Sequence, residues 1–218
     1  MRRATVVWPL VEVVAMTTLL TSYIWVWGGT FEGHFKLCVV LYAVIGLASH
    51  LRAGERPAGI GVRVDNLGSA ALGAFVATAA IGLLLVGAGA LFGSLDFPGL
   101  ARWPVTLRKG IAWGLLQQYG LLCFYYRRFM EILPRHRNGP LWASSALFAL
   151  LHLPNPFLTL ATFAAGALSC WLYRRTPNVI VLGVMHGVIS FLIVESLPQT
   201  LTMGMRVGPG FFRFVPEQ

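Results

Sequence analysis

The sequence is poor in charged side chains. They make up 11% of its 218 residues, and only 8 residues are Asp or Glu. A soluble domain usually carries about 25% charged residues, so this chain has too few to cover a surface that faces water. The three cysteines, Cys38, Cys123 and Cys170, all lie in apolar stretches. Their spacing excludes a disulfide framework and a cysteine-rich metal site.

Apolar residues are correspondingly abundant, at 56% of the chain with a mean hydropathy of +0.70. The formal net charge is +9, but the basic residues are scattered between apolar stretches. This placement is typical of the topology signal of a membrane protein. It argues against nucleic acid as a partner and makes the lipid bilayer the first expected partner.

Seven apolar stretches are candidate membrane spans, since a spanning helix needs about 20 mainly apolar residues. They cover residues 9–27, 35–51, 67–92, 105–126, 141–153, 157–173 and 178–197. The fifth is short and ends at prolines that should break the helix, so six spans plus a re-entrant element also fit. The predicted fold class is an all-α, polytopic transmembrane helix bundle.

The distribution of basic residues predicts the orientation of this bundle. With seven spans and a cytoplasmic N-terminus, eleven Lys and Arg residues lie inside and six outside, which agrees with the positive-inside rule. We therefore expect an integral protein of the cell (inner or plasma) membrane. Its one membrane domain divides into N-terminal helices (1–103), a core with the polar residues (104–197) and a C-terminal tail (198–218).

Strongly polar side chains occur inside three of the predicted spans: Gln117 and Gln118 in the fourth, His152 in the fifth and His186 in the seventh. Such residues are costly in lipid and are candidates for a functional site. With a rise of about 1.5 Å per residue, Gln118 and His186 lie roughly 14 Å from the inner boundary and His152 roughly 18 Å. The hydrocarbon core is about 30 Å thick, so all three lie near its midplane. This predicts one shared polar site.

Spacing along the helices adds detail to this site. Phe148 and His152 are four residues apart, as are His186 and Ser190, so each pair shares a helix face. The Ser190 hydroxyl could then orient the imidazole or a bound water. Small residues, which let membrane helices approach closely, surround these positions and include Gly114, Gly120, Gly166, Gly183 and Gly187.

Three ordered motifs resemble those of a known family. Phe148-Ala-Leu-Leu-His152 matches an FxxxH motif, and His186-Gly-Val-Ile-Ser190 resembles a histidine followed four residues later by a small polar residue. Between them lie Phe163-Ala-Ala-Gly166 and the turn 173–178. Together, over about residues 102–197, they resemble the CPBP intramembrane proteases, which include the CAAX prenyl endopeptidases and the abortive-infection proteins.

The resemblance implies an endopeptidase that cuts membrane-anchored proteins or peptides. In that family a glutamate of an EExxxR motif activates a water, while the histidines and the late polar residue hold the water and polarise the scissile carbonyl. The catalytic residues implied here are Gln117, Gln118, His152, His186 and Ser190. The resemblance implies either no cofactor or one divalent metal such as zinc, held by His152 and His186.

The sequence departs from the family pattern at the first motif. Gln117-Gln118 replaces the glutamate pair and Leu122 the arginine, while Arg127 and Arg128 come too late and are expected at the membrane interface. A glutamine can hydrogen-bond a water but cannot take its proton. Two hypotheses follow: a CPBP-type endopeptidase that works with Gln-Gln, or a catalytically inactive relative that binds a membrane partner.

The sequence is also compatible with other interpretations of these polar residues and of the function. Glu12 could replace the missing carboxylate, although a glutamate in the first turn of a helix also suits the helix dipole. Glu131 is expected in a solvated salt bridge. Two histidines at one depth could bind a b-type haem, and a transporter is a further class, disfavoured by the lack of repeat halves.

Overall fold

The structure is a computed structural model that describes residues 4–27, 32–97 and 103–216, and this part of the chain contains helices and turns but no strand. The all-α prediction is therefore confirmed. The main helices are α1 (Ala4–Ser22, continued by a π-helix over Tyr23–Trp27), α2 (Glu32–Arg52), α3 (Leu67–Phe92), α4 (Trp103–Gln118), α5 (Arg127–Ile132), α6 (Gly139–Leu150), α7 (Pro156–Arg175) and α8 (Val179–Ser196). A π-helix over Tyr119–Tyr126 joins α4 to α5, and the short helices α9 (Gln199–Thr202) and α10 (Pro209–Phe212) form the tail.

Five helices in the described part are long and apolar enough to cross a membrane: Val6–Trp27, His34–Arg52, Leu67–Phe92, Pro156–Arg175 and Val179–Ser196. The predicted fourth stretch belongs to the helix that runs on through Tyr119–Tyr126 into α5. The predicted fifth stretch is shorter than expected, because α6 ends at Leu150 and the chain turns before Pro154. The count of seven spans stays a prediction, and His152 lies in this turn rather than inside the helix.

Glycines bring α4 and α8 into backbone contact. A Cβ atom on Gly114 would lie 2.5 Å from the Gly183 carbonyl oxygen and 2.8 Å from the Gly187 nitrogen. A Cβ on Gly187 would lie 2.6 Å from the Cα of Ile111. No side chain fits at these distances, so the expected role of small residues in close helix approach is confirmed here. This contact sets which α4 residues face α8.

Buried asparagines fix the starts of α7 and α8. The Asn155 side chain accepts a hydrogen bond from the Leu158 nitrogen (3.0 Å), and Asn178 accepts one from the Val181 nitrogen (2.9 Å). Both are N-cap bonds, which satisfy otherwise unpaired N–H groups. Asn155 also donates to the carbonyl oxygens of Thr202 (2.9 Å) and Arg206 (3.0 Å), so the C-terminal tail packs on the turn that contains His152.

An ionic cluster joins α1, α2 and α5. It contains three carboxylates and three guanidinium groups, from Glu12, Glu55, Glu131, Arg52, Arg127 and Arg128. The Arg128 side chain is 0% exposed, pairs with Glu55 and lies 2.5 Å from a Glu131 carboxylate oxygen. Carboxylates from distant segments thus converge on Arg128 and compensate its buried charge, while its depth in the membrane stays a prediction.

Glu12 belongs to this cluster. Its carboxylate accepts hydrogen bonds from the Nε of Arg52 (2.5 Å) and from the Ser49 hydroxyl (2.7 Å). These contacts lie between α1 and α2, and no contact in the described part of the chain joins Glu12 to His152 or His186. The placement of Glu12 in the first turn of a helix is wrong, because α1 begins at Ala4. The carboxylate is occupied in helix packing, which favours a structural role over a catalytic one.

Glu55 should make the stability of the protein depend on pH. Burial raises the pKa of its carboxyl group, but hydrogen bonds from His50 and Arg127 and the charge of Arg128 outweigh burial and bring the pKa from 4.5 to about 2. A lowered pKa stabilises the fold above the unfolded value of 4.5, and this contribution is lost as pH falls towards 2. We expect the melting-temperature difference between wild type and Glu55→Gln in detergent to be largest at neutral pH and to shrink in acid. A constant difference across this pH range would contradict the assignment.

Candidate active site

Gln118 and His186 form the centre of the polar site. The carboxamide of Gln118, at the end of α4, lies with its nitrogen 3.0 Å from the Nδ1 atom of His186 on α8. Gln118 is completely buried. The glycine contacts between α4 and α8 place these two side chains against each other, so two of the residues predicted for one site are brought together.

The oxygen of the Gln118 carboxamide takes no part in the contact with His186. This Oε1 atom is buried and has no hydrogen-bond partner among the described residues. An unpaired buried acceptor costs about 1–3 kcal/mol, so such atoms in native proteins usually bind a water or a ligand. The site therefore offers a hydrogen-bond acceptor for a water or for an N–H group.

His152 has a fixed tautomer. Its Nδ1 atom lies 2.7 Å from the carbonyl oxygen of Phe148. A carbonyl oxygen can only accept, so Nδ1 carries the proton and a neutral imidazole keeps its lone pair on Nε2. The turn after α6 thus presents a proton acceptor, and the FxxxH spacing has a direct reason, because the carbonyl four residues earlier orients the ring.

His186 has the opposite tautomer. Its Nδ1 atom accepts a hydrogen bond from the Gln118 amide nitrogen, so the proton of the neutral ring is on Nε2. One imidazole therefore presents an acceptor and the other a donor. This pair has the functions that proton transfer to and from a substrate requires.

Phe148 connects the two histidines. Its buried ring packs edge-on against His152, with ring centroids 4.8 Å apart, and against His186 at 6.2 Å. Both imidazoles thus lie beside one apolar ring, His152 in the turn after α6 and His186 on α8. A hydrogen bond made in such a partly apolar environment is stronger than in bulk solvent.

Gln117 and Ser190 are outside this set of contacts. Both are partly buried, and neither side chain makes a hydrogen bond within the described part of the chain. The hydrogen bond that orients His186 comes from Gln118 rather than from Ser190. Catalytic roles for Gln117 and Ser190 stay predictions.

The donors at the polar site do not suit zinc. Zinc is held by three or four ligands from Cys, His, Asp and Glu, and the described residues contain no group of three such side chains placed to hold a metal. The site offers two imidazoles and one amide oxygen. The bis-histidine haem alternative stays a prediction.

Two contacts near the site were not expected from the sequence. The Tyr119 hydroxyl, one residue after Gln118, lies 2.9 Å from His50 Nε2, and His50 Nδ1 lies 2.7 Å from a carboxylate oxygen of Glu55. The ionic cluster is thus linked to the residue next to Gln118. The only sequence signal was the position of Tyr119, since His50 is distant in the chain.

The comparison with family models concerns the segment of the chain that contains this site. Residues 100–192 match the family described as Type II CAAX prenyl endopeptidase Rce1-like. The match contains all five residues predicted for the site. No curated protein and no solved structure matches the chain. The resemblance to the CPBP (CAAX protease-like) family is confirmed over residues 100–192, less than half of this integral membrane protein.

Proposed function

We propose that the protein is an intramembrane endopeptidase of the CAAX protease-like type that cleaves membrane-anchored proteins or peptides with a glutamine in place of the family glutamate. One observation carries this proposal. The unpaired Gln118 oxygen belongs to the carboxamide that sets the tautomer of His186, while Phe148 places His186 beside the oppositely protonated His152.

Gln118, His152 and His186 each have a separate role in the proposed mechanism. A water donates one hydrogen bond to Gln118 Oε1 and the other to His152 Nε2, which takes its proton as the oxygen attacks the scissile carbonyl carbon. The Nε2–H group of His186 donates to the carbonyl oxygen as negative charge develops there. Collapse of the tetrahedral intermediate breaks the C–N bond, and His152 gives its proton to the leaving amine. A neutral imidazole base avoids burying an ionised carboxylate, which is costly in an apolar site.

Comparison of protein termini in cell membranes would test this proposal. We expect neo-termini in cells with the wild type that disappear in the His152→Ala/His186→Ala double variant at matched expression. Loss of a general acid–base group slows a reaction by about 10²–10⁴-fold, so the cleaved fraction should fall below detection. His136→Ala, a change at an exposed histidine in the loop between α5 and α6, is the matched control and should leave every neo-terminus in place.

A second candidate function is partner binding without catalysis. The observation that favours it is the absence of a carboxylate at Gln118, because an amide cannot act as a base. Identical termini in the three strains, with the protein folded and abundant, would contradict the protease proposal and support a catalytically inactive relative. Neo-termini that persist in the double variant would contradict the assignment of the histidines.

A further inference from the structure

A pocket of about 140 Å³ lies between α3 and α7, and it shares no residue with the polar site. Its walls are small and apolar on one side, including Ala70 and Gly73. Ser69, also on α3, and Arg175 and Thr176, at the end of α7, add polar groups to the lining. A water occupies about 30 Å³ in the liquid, so the pocket has room for a group the size of a phosphate.

Arg175 is held in place beside this pocket. Its guanidinium carbon lies 3.7 Å from the centroid of the Trp171 ring, one turn earlier on α7. No carboxylate in the described part of the chain forms an ion pair with Arg175. Stacking fixes the plane of the guanidinium but leaves its N–H groups free, so the pocket carries an uncompensated positive charge.

The position of Arg175 along α7 indicates which anionic group would pair with its guanidinium. Arg175 is the last residue of α7, whose 20 residues form a candidate membrane span. At about 1.5 Å per residue, this helix is as long as the hydrocarbon core is thick. Its end therefore lies at the level of the lipid phosphates of one leaflet, where a guanidinium meets phosphodiester groups.

We infer that this pocket binds the phosphate group of a phospholipid. The Arg175 guanidinium and the Thr176 hydroxyl donate hydrogen bonds to the phosphate oxygens, and the acyl chains lie along α3 over Ala70 and Gly73. Arginine suits phosphate because its planar N–H groups form paired, charge-assisted hydrogen bonds. A basic pocket between membrane helices is a recurring form of lipid-headgroup site.

The test is native mass spectrometry of the whole protein in detergent, titrated with phosphatidylglycerol. In Arg175→Gln we expect the first lipid to bind about tenfold more weakly, the size of one lost charge-assisted hydrogen bond. Arg174→Gln is the matched control. That side chain is adjacent and equally charged, but it donates to Asn138, and its loss should change binding by no more than about twofold. Equal weakening in both variants would show general attraction of an anionic lipid and would overturn the site.

Two further measurements separate the remaining possibilities. Ser69→Phe fills the pocket from an exposed position without changing any charge, and it should weaken the first lipid as strongly as Arg175→Gln. Unchanged binding in Ser69→Phe would overturn the pocket as the site. Inorganic phosphate in millimolar excess should leave lipid occupancy of the wild type unchanged, because it lacks the acyl chains. Displacement by phosphate would show a site for any phosphate anion and would contradict a lipid site.

Discussion

Replacing Arg128 with methionine is expected to lower the free energy of unfolding by about 3–5 kcal/mol, the usual effect of removing one partner from a buried ion pair. The Arg128 side chain is 0% exposed and pairs with Glu55 and Glu131. Methionine fills a similar volume but leaves these carboxylates without their shared cation. Unfolding of the purified protein in mixed micelles with increasing sodium dodecyl sulfate would measure the change.

Arg63→Met is the matched control for this experiment. Arg63 forms its ion pair with Asp65 at a site where the Asp65 side chain is 62% exposed. Exposed pairs contribute about 0–1 kcal/mol, so this variant should remain close to the wild type. Equal stabilities of the Arg128 and Arg63 variants would contradict the view that the ionic cluster holds α1, α2 and α5 together.

Replacing Gly114 with leucine is expected to separate α4 from α8. The Cβ atom of any larger residue at this position would lie 2.5 Å from the Gly183 carbonyl oxygen. Backbone atoms cannot move away as a flexible side chain can. Overpacking costs about 1–3 kcal/mol and sometimes more. Because the same contact holds Gln118 against His186, the proposed cleavage of membrane proteins should fall along with the melting temperature.

Gly87→Leu distinguishes this steric effect from a general effect of leucine on a helix. Gly87 is also a glycine within a membrane helix, α3, but a Cβ atom there would meet nothing within 4 Å. Its replacement should leave both the melting temperature and cleavage unchanged. If Gly114→Leu behaves in the same way, the close approach of α4 and α8 does not position the polar site.

Several features of the protein were predictable from the sequence because they depend on neighbouring residues. Hydropathy over about 20 positions predicted the helices that became α1, α2, α3, α7 and α8. The four-residue spacing in Phe148-Ala-Leu-Leu-His152 predicted that these two side chains meet, and their rings are 4.8 Å apart. Small residues predicted close helix contact, which the backbone approach at Gly114, Gly183 and Gly187 confirms.

Other features depend on residues that are distant in the chain, and the sequence pattern could not supply them. The burial of Arg128 in an ion pair depends on Glu55, 73 positions earlier in the chain. Glu12 reads as a spare base or a first-turn residue until Arg52 and Ser49 are seen to bind it. Burial of a charge is decided by its partners, and these come from other helices.

The membrane class, the helical fold and the family resemblance could be predicted from the sequence alone, since hydropathy and motif order are properties of short segments. A single site containing Gln118, His152 and His186 is also a prediction from the sequence. The three-dimensional contacts were needed to show that Gln118 rather than Ser190 orients His186, and that the two imidazoles carry their protons on opposite nitrogens. The physical reason is that a tautomer is set by the hydrogen bond that the ring makes, and one of these bonds joins residues 68 positions apart.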